Sequence, residues 1–254
     1  MMPPGPTCDE TDFEDESLPL ISAGQVSVTL HDPSGAPIVG QPTYVCGAYV
    51  CGSPSWTDEE GSGGPSLDTP AIKPALKVGD SVAYPEVAIL IDHPQKGLSF
   101  AVTLPPFPSE GVPLVPGTTS ASNGVVLTLA DDATFDTTLT VNGTLDPFRA
   151  VELPANRLPD GLDHGAGLER VFALEPLSTV LCPPAGLSLP NSAGWAPGTA
   201  VEFLVQGLGA VEQPFAPYGE WQSIGTGAVD DAGDNLVLTS GGLPVIFNVG
   251  VRRL

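Results

Sequence analysis

Basic side chains are scarce: 8 Lys and Arg stand against 30 Asp and Glu in 254 residues, a formal charge of −22 at pH 7. So few cations cannot build the patch that releases counterions from a phosphate backbone, which excludes nucleic acid as a partner. No apolar run reaches the roughly 18 residues of a membrane-spanning helix. The opening MMPPGPTCDETDFEDESLP lacks the apolar core of a signal peptide. The chain is therefore read either as intracellular or as a mature form whose export signal has been removed; low Lys content with abundant Thr, Ser, Gly and Pro favours export. Histidine is limited to His31, His93 and His164, and no Gly-x-Ser-x-Gly elbow occurs. Enzyme activity has little to rest on.

What is present in excess is punctuation. Gly (30) and Pro (29) reach close to twice their usual combined share of roughly 12%, which excludes a helical bundle. The hydrophobic fraction, 41%, is enough for a core and excludes wholesale disorder. Residues 1–20 carry Asp9, Glu10, Asp12, Glu14, Asp15 and Glu16 with no base between them, the pattern of a solvated, flexible acidic leader. Leu18, Leu20 and Ile21 are placed to begin a first strand.

From Gln25 the apolar residues alternate: Val26, Val28 and Leu30 point one way, Gln25, Ser27, Thr29 and His31 the other, the period of a half-buried strand. PIVG, PTYVCG, YVCGSPSW, VAILI and SFAVTL read as further strands. Residues 105–117 hold five prolines and form a linker, because proline removes a ladder donor and cannot occupy a central strand. Beyond it GVVLTL, FDTTLTV, FRAVEL, ERVFAL, AGLSLP, TAVEFLV, EWQSIGTGAV, NLVLTS and PVIFNVGV recur about every ten residues. The expectation is an all-β chain of two antiparallel β-sandwich domains, Ig-like or transthyretin-like: leader 1–20, first sandwich 21–106, Pro-rich linker 107–117, second sandwich 118–254.

Within 25–61 the order VSVTLHDPSGAPIVG, a strand with Cys46, and a turn TDEEG resembles the carboxypeptidase regulatory-like module, a transthyretin-type β-sandwich common in secreted bacterial proteins; we extend the resemblance to about 25–104. The motif has a physical logic: Gly35 and Pro37 shape the first reversal, Ile38 enters the core, Gly40 admits close strand approach, and Thr57, Asp58 and Gly61 close the next hairpin. Here SGGPSLD intervenes after Gly61, where the family has an apolar residue. The region of about 118–254 is similar to the β-sandwich domain shared by zonula occludens proteins and netrin receptors, through GVVLTLADDATFDTTLTV, LERVFALEP, CPPAGLSLP, PGTAVEFLV and GEWQSIGTGAVDDAGDNLVLTS, with Phe172, Pro176, Pro183 and Trp221 at the family positions. Both resemblances imply structural or interaction modules rather than catalysts.

Four cysteines allow two disulfides in any of three connectivities, or four thiols in a reducing compartment. Cys46 and Cys51 come within bridging reach if PTYVCG and YVCGSP pair across a short turn; Cys8 and Cys182 then remain for each other. Asp230, Asp231 and Asp234 in VDDAGDN are calcium candidates, although neither this segment nor ADDATFD has the alternating ligands of an EF-hand, and a hairpin turn is the favoured reading. Asp160, Asp163 and His164 match no standard metal spacing and read as a polar loop. Of Trp56, Trp195 and Trp221, Trp195 in NSAGWAPGT is the loop residue expected to be exposed and available to a sugar. Asn142-Gly143-Thr144 is a sequon.

The function expected is a non-catalytic extracellular or cell-surface protein, structural, adhesive or assembling. It would meet other surface proteins or its own copies through exposed strand edges. The alternatives are a polysaccharide- or calcium-binding module, or an accessory domain of a larger secreted protein.

Overall fold

The computed structural model describes residues 18–80, 82–91, 98–136, 146–159, 161–208 and 215–254. Among these residues there is no α-helix, only a 3-10 turn at Ala155–Arg157, and the chain is all-β. The first half supplies β1 (Leu20–Ile21), β2 (Gly24–His31), β3 (Pro42–Cys46), β4 (Ser55–Trp56), β5 (Ser62–Gly63), β6 (Ser66–Leu67), β7 (Ala71–Ile72), β8 (Ala75–Val78), β9 (Val87–Leu90) and β10 (Leu98–Thr103). The second supplies β11 (Thr119–Ser122), β12 (Val125–Thr128), β13 (Thr134–Asp136), β14 (Arg149–Leu153), β15 (Arg170–Glu175), β16 (Thr179–Pro190), β17 (Ala200–Gln206), β18 (Trp221–Val229), β19 (Asn235–Gly241), β20 (Leu243–Ile246) and β21 (Val249–Arg253).

The first half forms three small sheets, one of them only the antiparallel pair of β1 with β7; the other two carry its bulk. In one, β2 lies between β10 and β5, with β6 pairing its start; in the other the order is β4-β3-β8-β9. The expected alternation holds in β2, where Val26, Val28 and Leu30 are buried. One pairing departs from the antiparallel expectation: β10 runs parallel to β2, from Leu98 opposite Val26 to Thr103 opposite His31. A parallel pair needs a long crossover, and here the whole second sheet lies within it. PIVG forms no strand, only a bridge between His31 and Pro37.

β9 is buried at all four residues, and core membership explains why. Val87 and Ile89 pack with β2 in one core, whereas Ala88 and Leu90 join Ala75 in the core of the second half. The β4-β3-β8-β9 sheet is thus a middle layer, apolar on both faces, which is why VAILI reads as a continuous apolar run instead of an alternating one. The small side chains of Ala75 and Ala88 let the second half approach closely.

The second half is one eleven-stranded sheet, ordered β11-β12-β16-β19-β18-β17-β21-β15-β14, with β13 and β20 both on β16. It curls until its two ends nearly meet. The seam between β11 and β14 is closed by side chains: Ser122 Oγ accepts from the Ala150 N–H at 3.0 Å, and Asn123 Nδ2 donates to the Ala150 carbonyl at 2.8 Å. β16 turns the corner, pairing with β13 and β20 at one end and with β12 and β19 at the other.

The Pro-rich segment forms no regular strand, yet it is packed down. Phe107 and Leu114 are buried, the Phe107 N–H donates to the Ala83 carbonyl at 2.9 Å, and Val112 and Phe148 exchange both backbone bonds. The two halves meet across a polar seam as well. Gln206 and Asn248, both almost fully buried, donate to the carbonyls of Ala88 (2.7 Å) and Glu86 (2.9 Å) on the open edge of β9, and Asn248 Nδ2 also donates to Gln206 Oε1 at 3.0 Å. Lys77 pairs with Glu86 at 2.6 Å and donates to the Leu208 carbonyl at 2.9 Å.

Replacing Gln206 by Leu keeps the volume but strands a buried carbonyl and the Asn248 amide. We expect a loss of about 1–3 kcal/mol in urea-monitored unfolding. Asn248→Leu should cost a similar amount, and the double variant less than the sum, because both side chains belong to one network.

Candidate functional site

Two segments singled out in the sequence meet in space, and Asn191 joins them. At the end of β16, its Nδ2 donates to the carbonyls of Trp195 and Gly233, both at 2.8 Å, while Oδ1 accepts from the Trp195 N–H at 3.1 Å. The 191–199 loop and the 230–235 hairpin are therefore one locked unit. Trp195 is half-buried against the core of the second half. The guanidinium of Arg253 lies 5.4 Å from its ring centroid and that of Arg170 lies 5.8 Å away, within cation–π range. The expectation of an exposed Trp195 describes Trp56 better: Trp56, on β4, is 61% exposed, and Trp221 is half-buried, donating through Nε1 to the Leu162 carbonyl at 2.7 Å.

The arginines around Trp195 are held by carboxylates. Arg253 grips Glu169 through Nε and Nη2, at 2.7 Å in the shortest contact. These hydrogen bonds hold the Glu169 carboxyl below the usual carboxylate range. Arg170 donates through Nη1 to the Glu169 carbonyl at 2.6 Å, and its Nε lies 3.5 Å from Glu152 Oε1. Glu152 Oε1 accepts from the Ser192 hydroxyl at 2.6 Å. Between these groups lies a surface depression of about 260 Å³, lined by Glu152, Leu153, Pro154, Ala155, Arg170 and Ser192. Sequence reading reached Trp195 but not Glu152, Arg170 or Ser192. The available signal was the rarity of cations: with only 8 in the chain, two beside one tryptophan are noteworthy.

The calcium candidates have other duties. Asp230 Oδ1 accepts from the Asp234 N–H (2.8 Å) and the Asn235 N–H (3.2 Å), and Oδ2 accepts from Asn235 Nδ2 at 2.8 Å. The Asn235 amide, with these backbone donors, holds the Asp230 carboxyl below its ordinary value. Asp231 and Asp234 belong to the same turn. Among the described residues no group of three His, Cys, Asp or Glu is placed to hold a metal ion. His31 is half-buried in β2 and His164 sits in a turn with φ 43°. Cys8, His93, Asp160, the sequon at Asn142 and the acidic residues Asp9 to Glu16 lie outside the described residues.

Cys46 and Cys51 form a disulfide, and Cys182 is also disulfide-bonded. No family model matches the chain, and no curated protein or solved structure matches it either.

Asp230→Ala should lower the melting temperature at pH 7. The carboxyl has a depressed value when folded, so its contribution is complete above the ordinary aspartate range near 4 and is lost as pH falls through the folded value. The gap between wild type and variant, followed by circular dichroism, should close on acidification. Added calcium should leave both melting temperatures unchanged.

Proposed function

We propose that the protein is a non-catalytic, exported module that serves at the cell surface as a structural, adhesion or assembly component. The carrying observation is the oxidised state of Cys46, Cys51 and Cys182, since disulfides persist in oxidising compartments and are rare where thiols are kept reduced. In this reading the first half is an Ig-like sandwich of the carboxypeptidase regulatory-like type. The second is a β-sandwich domain resembling the one shared by zonula occludens proteins and netrin receptors.

Local geometry supports the first assignment. Asp32 caps the first reversal, accepting from the Ser34 and Ala36 N–H groups. Gly35, Gly40 and Gly61 all have positive φ, and Thr57 Oγ1 donates to the Ile38 carbonyl while accepting from the Gln41 N–H. Partners are assigned to the edges of β4 and β10, which carry no second strand among the described residues. Exposed Trp56 lies on β4 itself. No helix among the described residues is long and apolar enough to cross a membrane.

Fractionating the source cells and labelling thiols in the native protein tests the reading. Recovery in the surface or secreted fraction with every cysteine blocked is the expected result; reduced thiols in the cytosolic fraction would refute it. Cys46→Ser with Cys51→Ser should cost about 2 kcal/mol, the modest value of a short closed loop.

A further inference from the structure

We propose that the depression between β14, β15 and the 191–199 loop binds the neighbouring hydroxyls of a neutral saccharide, with Glu152 and Arg170 as the recognising pair. Vicinal hydroxyls present one donor and one acceptor side by side, and a site for them needs the complementary pair at matching separation. Glu152 Oε1 and Arg170 Nε stand 3.5 Å apart. Neither is saturated: Arg170 Nε is buried behind the ion pair with Glu152, and the rest of the guanidinium, on the lining of the depression, makes one hydrogen bond, to the Glu169 carbonyl. Glu152 accepts a single one, from Ser192. The Ser192 hydroxyl adds a rotatable group on the rim, and Leu153, Pro154 and Ala155 supply apolar surface for the C–H face of a ring.

Size and charge narrow the ligand. About 260 Å³ lies below the roughly 300–1,000 Å³ of a drug-sized pocket, so one sugar ring of a longer chain is the unit that fits. The pair Glu152 and Arg170 is neutral together, as is Glu169 with Arg253. A polyanion would meet the Glu152 carboxylate locally and the field of a −22 protein at longer range, so uronate-rich or sulfated glycans are excluded. Trp195 acts through Arg170: the ring lies beside the guanidinium and outside the lining of the depression, which makes it a positioning residue rather than a stacking platform.

The test titrates purified full-length protein with oligosaccharides from dextran, mannan and arabinogalactan, and with dextran sulfate, by calorimetry and saturation-transfer NMR. Saturable binding of at least one neutral oligosaccharide is expected, with a dissociation constant on the order of 1 mM. Ser192→Phe, which fills the depression from an exposed position, and Glu152→Ala, which removes the acceptor, should each weaken it at least about tenfold; Glu110→Gln, an exposed charge change elsewhere, should not. Circular dichroism checks that each variant is folded, and either variant suffices if the other is not. Absence of binding to all three neutral sugars, preference for dextran sulfate, or binding that survives in the folded variants would overturn the proposal. Titration addresses the site alone and cell fractionation the compartment alone, so the two readings fail separately.

Discussion

An edge strand cannot be buried with its outward carbonyls unmet, and the arrangement of this molecule follows from how that demand is answered at β9. Its four residues lie between two cores, so water cannot serve them. Gln206 and Asn248 serve instead, reaching from the second half to the carbonyls of Ala88 and Glu86. A side-chain amide used in this way fixes direction as well as distance. It ties the register of β17 and the bend between β20 and β21 to the middle sheet. Apolar contact through Ala75, Ala88 and Leu90 would allow sliding; the amide pair does not. The edge most inviting to a foreign strand is thereby closed from within the chain.

Much of the fold was readable because β-branched residues and turn formers fell at strand spacing. Gln25–His31, FRAVEL, TAVEFLV and NLVLTS sit within a residue or so of observed strands. The misses have physical causes. TSAS carries no apolar pattern, yet β11 forms there because β12 offers a ladder and Ser122 can close the seam. AGLSLP reads as a strand, and β16 begins earlier, at Thr179; it passes through Pro183 and Pro184 where its pairing with β20 is irregular, between Val180 and Ala185. PVIFNVGV looked like one strand and is two, since Asn248 turns away to meet Glu86.

The candidate site was only half legible, for a related reason. Trp195 stands out in any sequence, but Glu152, Arg170 and Ser192 lie on three elements that only the curled sheet and the Asn191 bracket bring together. The aspartates of VDDAGDN looked like ligands because turn chemistry and cation chemistry use the same side chains. In the hairpin Asp230 is already committed to Asn235 and its neighbours.

The parallel pairing of β2 and β10 bears on how the first half would carry a mechanical load. Tension between Gly24 and Thr103 pulls the two strands lengthwise past one another. The six residue pairs from Val26–Leu98 to His31–Thr103 then resist in shear, all at once, whereas a hairpin pulled from its open end would unzip one rung at a time.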